Sequence, residues 1–190
     1  GSHHLLTEPD TVLNELNWLT IHENQISNIS CLSNIAYVRG YIHNGNSISN
    51  TSVLEDLINL QNLSIESHQS SDISVLANLL NLTNMNMDNN QLSDSDILVL
   101  AELTNLTWLH LWGNQLSDIS ALANLTNLTD LSLNSNQVDD ISALANLTNL
   151  TKVNLSWNSI SDITALANLT NLNALGLNDN PLTASELSIK

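Results

Sequence analysis

The sequence predicts an α/β solenoid, a single domain of stacked coils, and three observations predict it. Leu106 to Leu128, Leu128 to Leu150 and Leu150 to Leu172 are near copies of one 22-residue unit, each with Asn at the same offset. At the front of each copy apolar and polar residues alternate, as in Leu109-His110-Leu111, which is the period of a strand. Behind it, in Ser117-Asp118-Ile119-Ser120-Ala121-Leu122-Ala123-Asn124-Leu125, the apolar spacing changes to three, which suits a tight helical turn better than a second strand. A unit this short cannot bury its own apolar side, so units stack and bury it between them.

Alignment on Leu106, Leu109, Leu111, Asn114, Leu116, Ile119, Leu122 and Leu125 extends the repeat backward to eight starts: Leu16, Val38, Leu60, Leu82, Leu106, Leu128, Leu150 and Leu172. Every step is 22 residues except Leu82 to Leu106, which is 24, with the two extra residues near Ser95 and Asp96. A turn absorbs such an insertion at little cost. Ahead of the first start, Thr7-Glu8-Pro9-Asp10 followed by Val12, Leu13 and Leu16 predicts one short helix, with Thr7 as N-cap and Pro9 in its first turn. Residues 1–15 are read as an expression remnant, Gly1-Ser2-His3, plus this cap; residues 16–182 as the repeat domain; and residues 183–190 as a truncated end in which Thr183-Ala184-Ser185-Glu186 has the capping-box pattern.

Leu106 to Leu125 resembles the pattern L-x-x-L-x-L-x-x-N-x-I-x-x-I-x-x-L-x-x-L, the 22-residue class of leucine-rich repeat found in internalin-like surface proteins of Gram-positive bacteria. The match covers roughly residues 16 to 182. The resemblance implies a right-handed superhelix with a curved parallel sheet on its concave side, 3₁₀ turns on its convex side, and recognition of another protein, in a setting of adhesion or virulence. It also implies a secreted or cell-wall-attached address in a bacterium, with a cytoplasmic one left open. The chain departs from that family at both ends: the predicted cap is one short helix, and no sandwich-like domain follows the repeats. The family's partner-reading residues differ between members, so none is carried over by position.

Lys and Arg number 3 against 19 Asp and Glu, a net charge of -16. Nucleic acids and anionic membranes are held by basic residues, so neither is expected as a partner. Steering favours a basic partner surface, while plain solubility of a monomeric surface protein explains the charge equally well. No stretch approaches the length of a membrane span. The single cysteine, Cys31, has no internal disulfide partner and aligns with Ala121, the position of a tucked-in small side chain. Asn-Leu-Thr sequons at Asn81, Asn105, Asn124, Asn127, Asn146, Asn149 and Asn168 arise from the repeat itself; a eukaryotic secretory route would glycosylate so many, and a bacterial source leaves them inert.

One column reads Asn24, Asn46, His68, Asn90, Asn114, Asn136, Asn158 and Asn180. The resemblance implies that these side chains turn inward and bond backbone groups of adjacent coils. His68 breaks the column, and His43, Ser70 and Thr51 replace apolar positions, so repeats two and three are the weakest part of the stack. These histidines are read as tolerated core substitutions, with a pH-sensitive region as the alternative. A second column, Asp72, Asp118, Asp140 and Asp162, preceded by Asn28 and Asn50, stands just ahead of each convex turn. Stacked carboxylates are calcium chemistry, but an Asp accepting from a backbone N–H two or three residues on needs no ion. No metal or cofactor is expected.

Phe is absent, and the four Trp residues avoid the core columns. Strand alternation turns Trp18, Trp108 and Trp112 away from the core, onto the face the resemblance makes concave, with Trp157 at its rim. Large aromatics facing water mark contact surfaces. The candidate partner-binding patch is Trp108, His110, Trp112, Asp130, Asn134, Lys152 and Trp157, with Trp18, His22 and Glu23 as a second contact near the N-terminal edge. The reading is a protein-recognition module; alternatives are a carbohydrate-binding module using the same aromatic face and an intracellular regulatory scaffold. No nucleophile elbow, phosphate loop, His-Glu-x-x-His or Cys-pair zinc spacing appears, so enzymatic activity is not expected.

Overall fold

The computed structural model of the chain describes residues 17–20, 40–42, 52–67 and 73–183. Its strands are β1 (Trp18–Thr20), β2 (Gly40–Ile42), β3 (Asn62–Ser64), β4 (Asn84–Asn86), β5 (Trp108–His110), β6 (Asp130–Ser132), β7 (Lys152–Asn154) and β8 (Ala174–Gly176). They form one open parallel sheet in sequential order, each strand paired with the next at a register that places equivalent repeat positions side by side, such as Trp108 beside Asp130 and Asp130 beside Lys152. Each strand begins two residues after a predicted repeat start, so the period set by leucines is also the register of the sheet.

The return of each coil runs through 3₁₀ helices η1 (Ser52–Asp56), η2 (Ser74–Asn78), η3 (Asp96–Glu102), η4 (Ser120–Leu122), η5 (Ser142–Leu144) and η6 (Thr164–Leu166). Leu109, Leu111, Leu116, Ile119, Leu122, Leu125 and Leu128 of one repeat are all buried, and their counterparts join a continuous core between sheet and helices. The 24-residue step enters where expected: Asp94 and Ser95 form a turn, and η3 behind it is the longest of the six, at seven residues.

The Asn column does what the resemblance implies. Asn114 Nδ2 donates to Met87 O at 3.0 Å and Leu111 O at 2.9 Å, while its Oδ1 accepts from Asn90 N at 3.1 Å and Leu92 N at 2.9 Å. Asn136, Asn158 and Asn180 repeat this, each donating to carbonyls of its own and the preceding coil and accepting from Leu116, Val138 and Ile160 N–H respectively. One carboxamide thus satisfies both ends of a buried bend that water cannot reach.

Two further ladders pass through the sequons. Asn81, Asn105, Asn127, Asn149 and Asn171 each donate Nδ2 to a carbonyl of the preceding coil, at 2.8 to 2.9 Å. Two residues on, the hydroxyls of Thr83, Thr107, Thr129 and Thr151 do the same to Gln61, Thr83, Thr107 and Thr129 O. In those Asn-Leu-Thr triplets, Asn and Thr both clamp the stack while Leu fills it.

The Asp column caps. Asp118, Asp140 and Asp162 Oδ1 each accept from the N–H two residues on, Ser120, Ser142 and Thr164, at 2.8 Å. Asp94 occupies the same position in the 24-residue repeat, which the sequence reading passed over. It reaches across instead, accepting from Ser117 N at 2.7 Å, Asp118 N at 3.0 Å and the Ser117 hydroxyl at 2.6 Å. Among the described residues no group of three or more His, Cys, Asp or Glu is placed to hold a metal ion, and no described helix is long and apolar enough to cross a membrane. The capping helix before Leu16, Cys31, His43, Thr51, His68, Ser70, Asp72, the first two Asn of the inward column and the capping box fall wholly or largely outside the described residues.

Two predictions follow from these ladders. Asn114→Ala leaves buried N–H and C=O groups without partners and costs about 3 kcal/mol, whereas Asn124→Ala, at an exposed sequon outside the ladders, changes stability by less than about 0.5 kcal/mol; equilibrium urea unfolding checks both. The second concerns acid. Partial burial pushes the Asp94 carboxyl up, but the Ser117 hydroxyl and the Ser117 and Asp118 N–H groups outweigh it and hold the carboxyl below its ordinary 3.8. The N–H groups of Ser142 and Thr164 likewise lower Asp140 and Asp162. A lowered folded value means stabilisation that is present above 3.8 and lost as pH falls through the folded values. The urea midpoint therefore falls as pH is taken below 3.8, and the fall is smaller in Asp94→Asn/Asp140→Asn/Asp162→Asn.

Candidate functional site

The outward side chains of the sheet form columns of their own. One runs Trp18, Gly40, Asn62, Asn84, Trp108, Asp130, Lys152, Ala174, and the next Thr20, Ile42, Ser64, Asn86, His110, Ser132, Asn154, Gly176. Where the inward columns keep to apolar side chains and Asn, these change chemistry at almost every step. The fold does not constrain them, so they are free to carry a surface.

On β5 to β7 four of the candidate residues touch. The rings of Trp108 and His110, two apart on one face of β5, stack at 3.7 Å between centroids and 25° between planes. His110 Nε2 lies 3.3 Å from Asp130 Oδ1, and Lys152 Nζ lies 3.7 Å from Asp130 Oδ2. Asp130 thus joins the aromatic pair to Lys152, the one Lys or Arg among the described residues. Trp108 is half-buried by this stacking rather than freely exposed.

Trp112 and Asn134 follow at the strand exits of neighbouring coils. Trp112 is 38 % exposed, yet its backbone is clamped: its N–H donates to Asp88 Oδ1 at 2.7 Å and its carbonyl accepts from Asn89 N at 2.8 Å. Asn134 Oδ1 accepts from the Ser132 hydroxyl. Trp157 sits one residue further along its own coil, 54 % exposed. That position is left-handed in every described coil that reaches it: Ser67 at φ 61°, Asn89 at 55°, Gly113 at 67°, Ser135 at 56°, Trp157 at 54° and Asp179 at 54°. Gly, Asn, Asp and Ser tolerate such a turn; a bulky indole stands there at a cost of about 1 kcal/mol or more.

Trp18 belongs elsewhere, on β1, 48 % exposed. Its ring lies flat over Gly40, where any Cβ would collide with the indole, and its Nε1 donates to Thr20 Oγ1 at 3.0 Å. Between Trp18 and Trp108 runs a groove of 270 Å³ lined by Asn62, Leu63, Ser64, Asn84 and Asn86. His22 and Glu23 fall outside the described residues.

Asp88, Gly40 and the groove floor were not singled out by sequence. Asp88 was the most legible of them: it occupies the strand-exit column of Trp112 one repeat earlier, and a carboxylate one coil away from a Trp backbone is a readable signal. It is nearly buried, and loss of water pushes its carboxyl above the ordinary 3.8, against the Trp112 N–H and the nearby His110, with Glu66 adding to the rise.

An open parallel sheet whose outward columns carry indoles over Leu-filled coils defines a leucine-rich-repeat solenoid, a fold typical of protein-recognition modules. A family profile described as leucine-rich repeats in two copies matches residues 104–146. The crystal structure of internalin C2 from Listeria monocytogenes is similar at 33 % identity and a TM-score of 0.87, over 93 % of this chain and 77 % of that one. Internalin F of the same organism is similar at 28 % identity and a TM-score of 0.72, over 90 % of this chain and 63 % of that one. The chain belongs to the internalin-like leucine-rich-repeat family. The plant peptide hormone receptor RGFR1, solved in complex with RGF2, is similar at 26 % identity and a TM-score of 0.71, over 89 % of this chain and 29 % of that one. Comparison with curated proteins gives no significant match.

The raised Asp88 carboxyl yields a signed prediction. A raised folded value contributes stability that is full below 3.8 and lost as pH rises through it. Asp88→Asn keeps a carbonyl acceptor for the Trp112 N–H without the buried charge. Its melting temperature is expected to exceed the parent's at neutral pH, and the gap to close in acid, where the parent's own carboxyl is neutral; a gap of constant size across that range contradicts the assignment.

Proposed function

We propose that this chain is a non-enzymatic protein-recognition module, secreted or displayed on a bacterial surface, that grips a host or neighbouring protein with its concave face. The contact patch is Trp108, His110, Trp112, Asp130, Asn134, Lys152 and Trp157, and residues 16–182 form the recognition domain. The observation that carries this reading is Trp157. An indole more than half exposed at φ 54° stands where Gly, Asn, Asp or Ser fits at less cost, and a residue that costs stability there points to what the ring meets in solution.

Trp108, Trp112 and Trp157 stand on two coils whose backbones are held by ladders, so little side-chain or loop freedom is lost on docking. Apart from Lys152 the described surface offers no Lys or Arg, and the chain carries -16 overall. A partner with basic residues around an apolar centre fits both the indoles and the field around them. The relatives favour the same class: two are internalins, and the plant receptor was solved with a peptide hormone partner.

Affinity capture from host-cell surfaces, run in parallel with the parent chain and Trp108→Ala/Trp112→Ala, tests this. Proteins retained by the parent and lost from the variant are expected, with affinity for the retained partner falling at least about 30-fold, the size of a central aromatic contact. Equal retention by both contradicts the reading. Trp157→Asn separates function from fold: relief of the left-handed indole raises stability by about 1 kcal/mol while partner affinity falls.

A further inference from the structure

The groove between Trp18 and Trp108 lies beside the proposed contact patch but has a different chemistry. In a chain with 19 Asp and Glu, the described residues lining it carry no charge: two indoles at the ends and Asn62, Ser64, Asn84 and Asn86 with Leu63 between them. We propose that this groove is a ligand subsite for a neutral oligosaccharide of about three pyranose rings.

Both ends are built as flat platforms. Trp18 lies across β2 because Gly40 presents no side chain, and its Nε1 is tied to the Thr20 hydroxyl, so the ring is fixed edge and face. Trp108 is fixed by its stack on His110. The electron-rich face of an indole attracts the polarised C–H groups on the underside of a pyranose ring, and an aliphatic chain offers no such matching face. β1 and β5 are four strand spacings apart, about 19 Å on a flat sheet, and the reach of Trp18 over β2 shortens this to about 14 Å. That span holds a short run of rings and is too long for a single one.

The floor supplies the polar half. Asn84 Oδ1 accepts from the Thr83 hydroxyl at 2.9 Å and Asn86 Oδ1 from Asp88 N at 2.9 Å. With their oxygens held, the two carboxamides are oriented, and their Nδ2 groups have no protein acceptor among the described residues. They are donors two residues apart on β4, about 7 Å along the strand, spaced for hydroxyl oxygens of a saccharide. Uncharged lining matters as much: carboxylates or ammonium groups would select charged sugars, and Glu66 and Asp88 nearby repel acidic ones.

The subsite shares Trp108 with the proposed contact patch but not Trp112, and the experiment keeps the two apart through Trp18 and Trp112. The probes are maltotriose, cellotriose and triacetylchitotriose, titrated into the whole chain by calorimetry and tryptophan fluorescence, with 3′-sialyllactose as the acidic control and a proline-rich decapeptide as the competing occupant. At least one neutral trisaccharide is expected to bind, with sialyllactose weaker. Trp18→Ala and Asn84→Ala are each expected to lower that affinity at least tenfold, and Trp112→Ala to leave it unchanged. Gly40→Ala keeps the Trp18 ring but displaces it, so it too is expected to lower sugar affinity at least tenfold, with circular dichroism confirming an unchanged fold. No binding by any of the three sugars, binding insensitive to Trp18→Ala, or Trp18-dependent binding of the decapeptide alone overturns the proposal.

Discussion

Every coil of this chain is incomplete by itself. Its strand has unpaired backbone groups along both edges, its apolar side is open, and its bends turn carbonyls and N–H groups into a region that water does not reach. Each of these deficits is met by the next coil: strand by strand, leucine by leucine, and at the bends by a single Asn carboxamide that donates to two coils and accepts from one. The arrangement explains why the inward columns repeat so strictly. An Asn in that column cannot be exchanged without orphaning groups on two coils at once, and a core Leu cannot change volume without opening a gap against both neighbours.

The same constraint releases the opposite face. Because stability is held by inward side chains and by the backbone, the outward columns can pass from Trp108 to Asp130 to Lys152 in consecutive strands with no consequence for the coil. What those side chains gain is a fixed foundation. Trp112 shows it most clearly: its indole is exposed, while its N–H and carbonyl are both taken by the preceding coil. Trp157 shows the reverse, an indole more than half exposed at an unfavourable backbone angle. Recognition chemistry on a solenoid is therefore separable from folding chemistry, position by position, in a way that a globular core rarely permits.

Much of this was legible in the residues. The period gives the strand starts, the register and the open sheet, since leucines spaced to fill one coil also set where the next begins. The recurrence of the Asn column was legible in the period, and its inward role came from the family resemblance. Outward placement of Trp18, Trp108 and Trp112 follows from alternation alone. The Asn and Thr ladders through the sequons were hidden because a triplet with a familiar modification meaning masks its mechanical one, and because an inter-coil bond joins residues some 23 apart. The stack of Trp108 on His110 depends on rotamers, which no spacing encodes. Gly40 beneath Trp18 pairs residues 22 apart in sequence whose relation appears only once β1 and β2 are aligned. The left-handed column was partly readable from Gly113 and Asn89, but Trp157 conceals it, being the least expected residue at that angle.

Amide hydrogen exchange reads the central claim directly, because the N–H groups of Leu92, Leu116, Val138 and Ile160 are bonded to an Asn side chain of the following coil rather than to a strand carbonyl. If coil-to-coil satisfaction of the bends holds the stack together, these four amides are protected as strongly as the sheet-paired amides of Leu111, Leu133 and Leu155. Exchange of the four at the rate of open loops, with the sheet amides still protected, would contradict the account.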